Sequence, residues 1–146
     1  MIDIRLAKIS DAPELERIND LFYGEGSNDA GAIEKSLKRN VNEIVCVADD
    51  GNRLAGYCCG QIIGTMCRPY KYGDVTALYV MEEYRRQGIG RRLLASIEKA
   101  FHKHDVSHLH ISTGSENQIA KALYRSSGFE DTSEIVLDKG SPEVEG

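Results

Sequence analysis

Between Val75 and Lys99 the sequence VTALYVMEEYRRQGIGRRLLASIEK changes its apolar period abruptly, and any fold has to accommodate that change. Val75–Val80 is β-branched and aromatic, the composition of a strand. Met81–Gln87 then breaks the apolar pattern with charge. From Gly88-Ile89-Gly90 onward, Ile89, Leu93, Leu94, Ile97 and Phe101 recur at helical spacing. The reading is a strand, a polar turn and a glycine-rich corner that opens a helix running to about His104. Glycine permits a tight turn and close backbone approach. The first N–H groups of a helix have no intrahelical partner and suit an anion. Arg85, Arg86, Arg91 and Arg92 flank the corner, so it suits a pyrophosphate. The string is Arg85-Arg86-Gln87-Gly88-Ile89-Gly90. It is neither the GxxxxGK-Ser/Thr loop of nucleoside triphosphatases nor the GxGxxG dinucleotide fingerprint.

The remaining chain alternates between the two periods. Ile2–Ile9 reads as a first strand. Ser10-Asp11-Ala12-Pro13-Glu14 has the chemistry of a helix start, and that helix runs to about Phe22. A glycine-containing loop over Tyr23–Asn28 leads to a second helix at Asp29–Arg39. Glu43–Ala48 and Leu54–Met66 read as a hairpin around the turn Asp49-Asp50-Gly51-Asn52. Cys67–Gly73 is a loop. His108–Thr113 is a strand, Asn117–Ser127 a helix that Gly128 ends, and Phe129–Leu137 a last alternating strand. Strands alternating with helices in the second half imply a mixed α/β sheet. One domain is expected over residues 1–138, with a polar, flexible tail over 139–146.

Composition narrows the function. A net charge of −5 argues against a general nucleic-acid binder, which needs a basic face, and makes the arginine cluster local. No stretch reaches the length of a membrane span, and the N-terminus lacks the apolar core of a signal peptide. Cys46, Cys58, Cys59 and Cys67 show no CxxC spacing and read as reduced, buried thiols of a cytoplasmic protein. His102, His104, His108 and His110 form two HxH pairs, read as surface residues rather than as a metal site. Residues 10–34 carry Asp11, Glu14, Glu16, Asp20, Glu25, Asp29 and Glu34 against Arg17 as the only base. That excess is either a solvated helix face or a lid that attracts a cation.

A second motif, Asn117-Gln118-Ile119-Ala120-Lys121-Ala122-Leu123-Tyr124-Arg125-Ser126-Ser127-Gly128-Phe129, follows at a fixed remove. It resembles the N-x-x-A-x-x-L-Y-x-x-x-G-F segment of the GNAT superfamily of acyl-CoA-dependent N-acetyltransferases. The RxxGxG corner resembles that superfamily's coenzyme A loop. The resemblance implies a mixed central sheet of about six to seven strands, a splayed central strand pair and about four helices. It implies acetyl-CoA as co-substrate, an amine acceptor and no metal. By motif position, Leu78, Tyr79 and Val80 would line the pantetheine arm, with the backbone N–H of Leu78 as oxyanion donor. Arg85, Arg86, Gln87, Gly88, Ile89, Gly90 and Arg91 would hold the pyrophosphate, and Asn117 the pantetheine or its neighbours. Tyr124 would give the departing thiolate a proton. Asp74 is either the base for the amine or a turn residue after Gly73. The expected acceptor is a small cationic amine, aminoglycoside-like or polyamine. Protein N-terminal or lysine acetylation, or a non-catalytic coenzyme A-binding module, are the alternatives. Relatives of this kind are commonly homodimers.

Overall fold

Period-two runs separated by turn chemistry build an antiparallel meander, and a helical crossover adds one parallel strand. In the computed structural model, which describes residues 1–140, β1 (Asp3–Leu6), β2 (Glu43–Asp49), β3 (Leu54–Ile63) and β4 (Tyr72–Val80) pair antiparallel in chain order. β5 (Leu109–Ile111) joins β4 in parallel and completes a five-stranded sheet. Between β1 and β2 lie α1 (Ala12–Tyr23) and α2 (Ala30–Arg39). The crossover from β4 to β5 is α3 (Ile89–Lys103), and α4 (Gln118–Ser126) follows β5.

The expected mixed sheet and four helices are present, but the sheet has fewer strands than six to seven. The strand anticipated at Phe129–Leu137 does not form, and Ile135, Val136 and Leu137 stand 79%, 78% and 85% exposed. Alternation makes a strand only where a ladder partner and a buried face exist. The neighbouring β5 is three residues long. The first strand also stops early, because Ile9–Asp11 turns into a 3-10 helix with the Lys8 N–H bonded to Asp11 Oδ2 at 2.7 Å. Of the tail expected over 139–146, residues 141–146 lie outside the described residues.

Each sheet face carries its own core. The apolar stripe of α3, Ile89, Leu93, Leu94, Ile97 and Phe101, packs on Ile44, Cys46, Cys58 and Val75. On the opposite face Leu15 and Ile18 of α1 pack on Val47, Leu54, Tyr57 and Met81. A side chain as large as Phe101, fully buried, contributes about 2–3 kcal/mol. Two glycines make room for it. A Cβ on Gly60 would lie 2.5 Å from Phe101 Cζ and 2.9 Å from Ile97 Cδ1, and one on Gly73 would lie 2.9 Å from the Phe101 ring.

A buried carboxylate fixes α1 to the sheet. Arg5 of β1 donates to both oxygens of Asp11, at 2.8 and 2.9 Å, and to Asp49 of β2 at 3.1 Å. Burial raises the Asp11 carboxyl, but hydrogen bonds from Arg5 and Lys8 and the guanidinium charge outweigh it, so the net direction is down.

Two stability predictions follow from these contacts. Asp11 contributes stability above its unfolded pKa and loses it as pH falls through its lower folded pKa. Asp11→Asn should therefore lower stability by about 1–3 kcal/mol at neutral pH and flatten its acid dependence, as read by urea unfolding between pH 2 and 7. Gly60→Ala should cost about 1–3 kcal/mol, since Phe101 and Ile97 have no room to retreat. Gly114→Ala, with open space around its Cβ, should be near neutral in the same assay.

Candidate active site

One extra residue in β4 organises the site. β3 and β4 pair as Gly60↔Val75 and then as Cys59↔Ala77, so Thr76 is a β-bulge without a partner. The bulge exchanges the faces of the strand. Gly73 and Val75 face α3 before it, whereas Leu78 and Val80 do so after it. Parallel pairing with β5 covers only Gly73–Val75, against Leu109–Ile111. Beyond the bulge, β4 has parted from β5. The Met81 N–H donates to the Ala55 carbonyl at 2.8 Å. Bonded residues alternate in an antiparallel ladder, so Ala77 and Tyr79 also bond toward β3. The N–H and C=O groups of Leu78 and Val80 therefore point into the gap. The Val80 carbonyl there accepts from Arg85 Nε at 2.8 Å.

The glycine corner closes one end of the gap. After a 3-10 turn at Glu82–Tyr84, Arg86 adopts φ 66° and Gly88 φ 77°. A left-handed arginine is uncommon, and such strain gathers where a ligand is gripped. The Arg92 N–H donates to the Gly88 carbonyl at 3.1 Å, so the amides of Ile89, Gly90 and Arg91 precede the first helical bond. A Cβ on Gly90 would meet Leu123 Cδ2 at 3.3 Å and Val80 Cγ2 at 3.9 Å. The start of α3, the end of β4 and α4 thus converge at one point.

The arginines divide by engagement. Arg85 lies over the Tyr79 ring, 5.4 Å from its centroid, besides binding the Val80 carbonyl. Arg91 reaches the Ser126 carbonyl at 3.4 Å, and Arg92 turns away to the Ile2 carbonyl at 2.9 Å. Arg86 and Gln87 are exposed, with no side-chain hydrogen bond among the described residues.

Asn117 caps α4, its Oδ1 accepting from the Ala120 N–H at 3.1 Å. Its amide NH2 stays available as a donor. Tyr124, two turns further, is half-buried and packs edge-on against Phe129 with ring centroids 6.2 Å apart. Burial raises its phenol, and the Cys58 thiol adds to the shift. Cys58 is also the register partner of Leu78. Tyr124 therefore stays protonated at neutral pH.

The opposite face of the same bulge lines a cavity of about 260 Å3 under α1 and α2. Leu15, Ile33, Leu37 and Val45 are its apolar wall, and Thr76 and Ala77 of β4 close it. Its polar groups include Asn19, which accepts from the Tyr57 hydroxyl at 2.7 Å, and Glu43, bonded to Ser36 at 3.2 Å and Gln61 at 3.4 Å. Nothing in the sequence singled out Glu43 or Thr76. Register alone brings Glu43 to the cavity floor, and a bulge leaves no mark in residue type. Asp74, half-buried, lies two residues before Thr76 on this face. Burial raises its carboxyl while the His110 charge acts the other way.

The acidic segment resolves mainly into structure. Asp11 binds Arg5, Glu14 binds Arg17 and the Leu54 N–H, and Glu16 accepts the Ala30 N–H at 2.6 Å. Asp29 caps α2 and Glu34 pairs with Lys38. The cysteines divide as well. Cys46 and Cys58 are buried and Cys59 is half-buried, but Cys67 is exposed, contrary to expectation, because it lies in the β3–β4 loop.

Comparison with known proteins agrees with this geometry. The profile of the acetyltransferase (GNAT) family matches residues 12–129. The chain is 30% identical over 116 residues to an uncharacterized N-acetyltransferase of Chlorobaculum tepidum, covering 75% of this chain and 66% of that protein. It is 34% identical over 110 residues to the N-alpha-acetyltransferase RimI of Mycobacterium tuberculosis, again covering 75% and 66%. The chain thus spans just under two thirds of the length of both. Its fold is similar to that of AAC(6')-Iy in complex with the bisubstrate analogue CoA-S-monomethyl-acetylneamine, with TM-score 0.84, 16% identity and coverage of 97% and 99%. The chain belongs to the acetyltransferase (GNAT) family.

Proposed function

We propose that the protein transfers an acetyl group from acetyl-CoA to a small cationic amine by direct attack within a ternary complex. The observation that carries this is the parting of β4 from β5 at Thr76. It opens a slot whose wall is the amides of Leu78 and Val80 and whose end is the unpartnered amides of α3. The pantetheine arm lies along Leu78, Tyr79 and Val80, with Asn117 across from it. The pyrophosphate rests on the amides of Gln87, Gly88, Ile89, Gly90 and Arg91, with Arg86 free to close over it and Arg85 holding the strand end.

The chemistry follows from that placement. The Leu78 N–H holds the thioester oxygen as it gains charge, a fixed donor worth roughly 3 kcal/mol in such sites. The amine enters from the α1–α2 cavity, where Glu43 attracts its charge. Asp74 takes the proton through water, because it lies four residues before Leu78, roughly 12 Å along the strand. Tyr124, kept neutral by burial, protonates the departing thiolate. The likeness to an N-alpha-acetyltransferase favours one second reading, in which the acceptor is the α-amine of a protein.

An acetyl-CoA consumption assay across diamines, aminosugars and short peptides tests both. Cationic small amines should be turned over and N-terminal peptides should not; the reverse result establishes the second reading. Tyr124→Phe should lower kcat by about 100-fold and leave acetyl-CoA affinity by calorimetry unchanged. A coenzyme-binding module without catalysis would instead show binding and no turnover in either form. Glu43→Gln should raise KM for cationic amines by about tenfold at unchanged kcat, with a smaller effect at high salt.

A further inference from the structure

One polar row crosses the sheet on the α1–α2 face. Glu43 on β2 opposes Gln61 on β3, Gln61 opposes Asp74 on β4, and Asp74 pairs in register with His110 on β5. The side chains share that face because Ile44, Val75, Leu109 and Ile111 beside them turn to α3. Paired strands lie about 4.8 Å apart, so Asp74 and His110 are direct neighbours across the ladder, although their side chains form no hydrogen bond or ion pair with each other. Tyr72 and His108 flank the imidazole, with ring centroids 5.1 and 5.0 Å away, and restrict its plane.

We propose that His110 serves the acceptor site as the cationic partner of Asp74, a positioning residue that acts through the carboxylate rather than on the amine itself. The inference rests on the acetyl-transfer reading above. A base that meets an ammonium ion has to be ionised at that moment. Burial of Asp74 works against ionisation, and positive charge on the neighbouring His110 works for it. The ammonium gives one proton to Asp74, and the free amine forms its bond to the thioester carbon as the carbon–sulfur bond breaks. Nitrogen then loses a second proton. Of the two, one ends on the coenzyme thiol by way of Tyr124 and one leaves to solvent from Asp74. The titratable groups facing His110 are Asp74 and Tyr72 from β4 and His108 from its own strand, with Glu43 of β2 at the far end of the row.

The test is the pH profile of kcat/KM for a turned-over amine in wild type, His110→Gln and His110→Lys, with thermal midpoints and acetyl-CoA affinity measured alongside. In His110→Gln the acid limb should move up by about one pH unit, a loss of about tenfold on that limb that vanishes at alkaline pH. His110→Lys keeps the charge and should return most of the shift. In an Asp74→Asn background, His110→Gln should add nothing. A limb that stays in place, or a rate lowered equally at every pH, overturns the role. Should the glutamine variant fail to fold, the Asp74 carboxyl carbon in the wild-type protein, followed by NMR, decides. A second inflection coincident with the His110 titration supports the pairing, and a single inflection overturns it. Wild-type protein that acetylates no amine overturns the reaction and this role together. An active wild type with an unmoved limb overturns the role alone.

Discussion

The proposed site depends on Thr76 having no partner. A ladder without the bulge would continue β4 against β5 and would send Leu78 and Val80 to the other face. Their amides would then be spent on sheet hydrogen bonds. With the bulge, the strand keeps its bonds to β3 through Ala77, Tyr79 and Met81 and offers the alternate amides to the gap. The partner strand adapts to the same distortion. Gly56 faces the end of β4 where a Cβ would lie 2.5 Å from the Tyr79 carbonyl oxygen. Any larger residue there would push β3 off the strand that carries the site.

The glycine corner extends the same logic from strand to helix. An unbonded amide is costly when buried and cheap when it faces solvent or an anion. The corner leaves the first amides of α3 at the surface, at the cost of a left-handed arginine at position 86. What holds that conformation is the packing just behind it. Ile89 and Leu93 are buried against the sheet, Met81 is buried under α1, and Leu123 closes on Gly90. The surface proposed to bind the pyrophosphate is therefore the edge of a well-packed junction, which orients the amides independently of any ligand.

Helices and the corner were legible because their signals are local. The stripe of α3, the Pro and acids opening α1, and Gly88 and Gly128 at φ 77° and 99° need no knowledge of the rest of the chain. What failed is non-local. Phe129–Leu137 alternates as a strand should, yet its apolar side meets no partner in the described residues. Glu43 reads as the first residue of a strand, and only the register β2–β3–β4 shows it on the floor of a cavity in line with Asp74. The acidic run over 10–34 reads either as a solvated helix face or as a field for a cation, and most of its carboxylates cap helices or bind arginines. Acidity in a helical segment is first a matter of helix termini.

The gap also bears on how acetyl would reach the amine in the proposed reaction. A relay through the protein needs a nucleophile near the thioester, and the thiol lining the cavity is Cys59. Burial pushes that thiol up to about 12, so it stays protonated at neutral pH. Tyr57, beside it, is raised further still by burial. The groups at hand are therefore held in their protonated, non-nucleophilic forms on the acceptor side. The parting of β4 from β5 lies between that side and the α3 side, at the bulge. In the proposed reaction an amine entering under α1 meets a thioester held on Leu78 through this opening, past a Cys59 thiol and a Tyr57 phenol that burial keeps protonated.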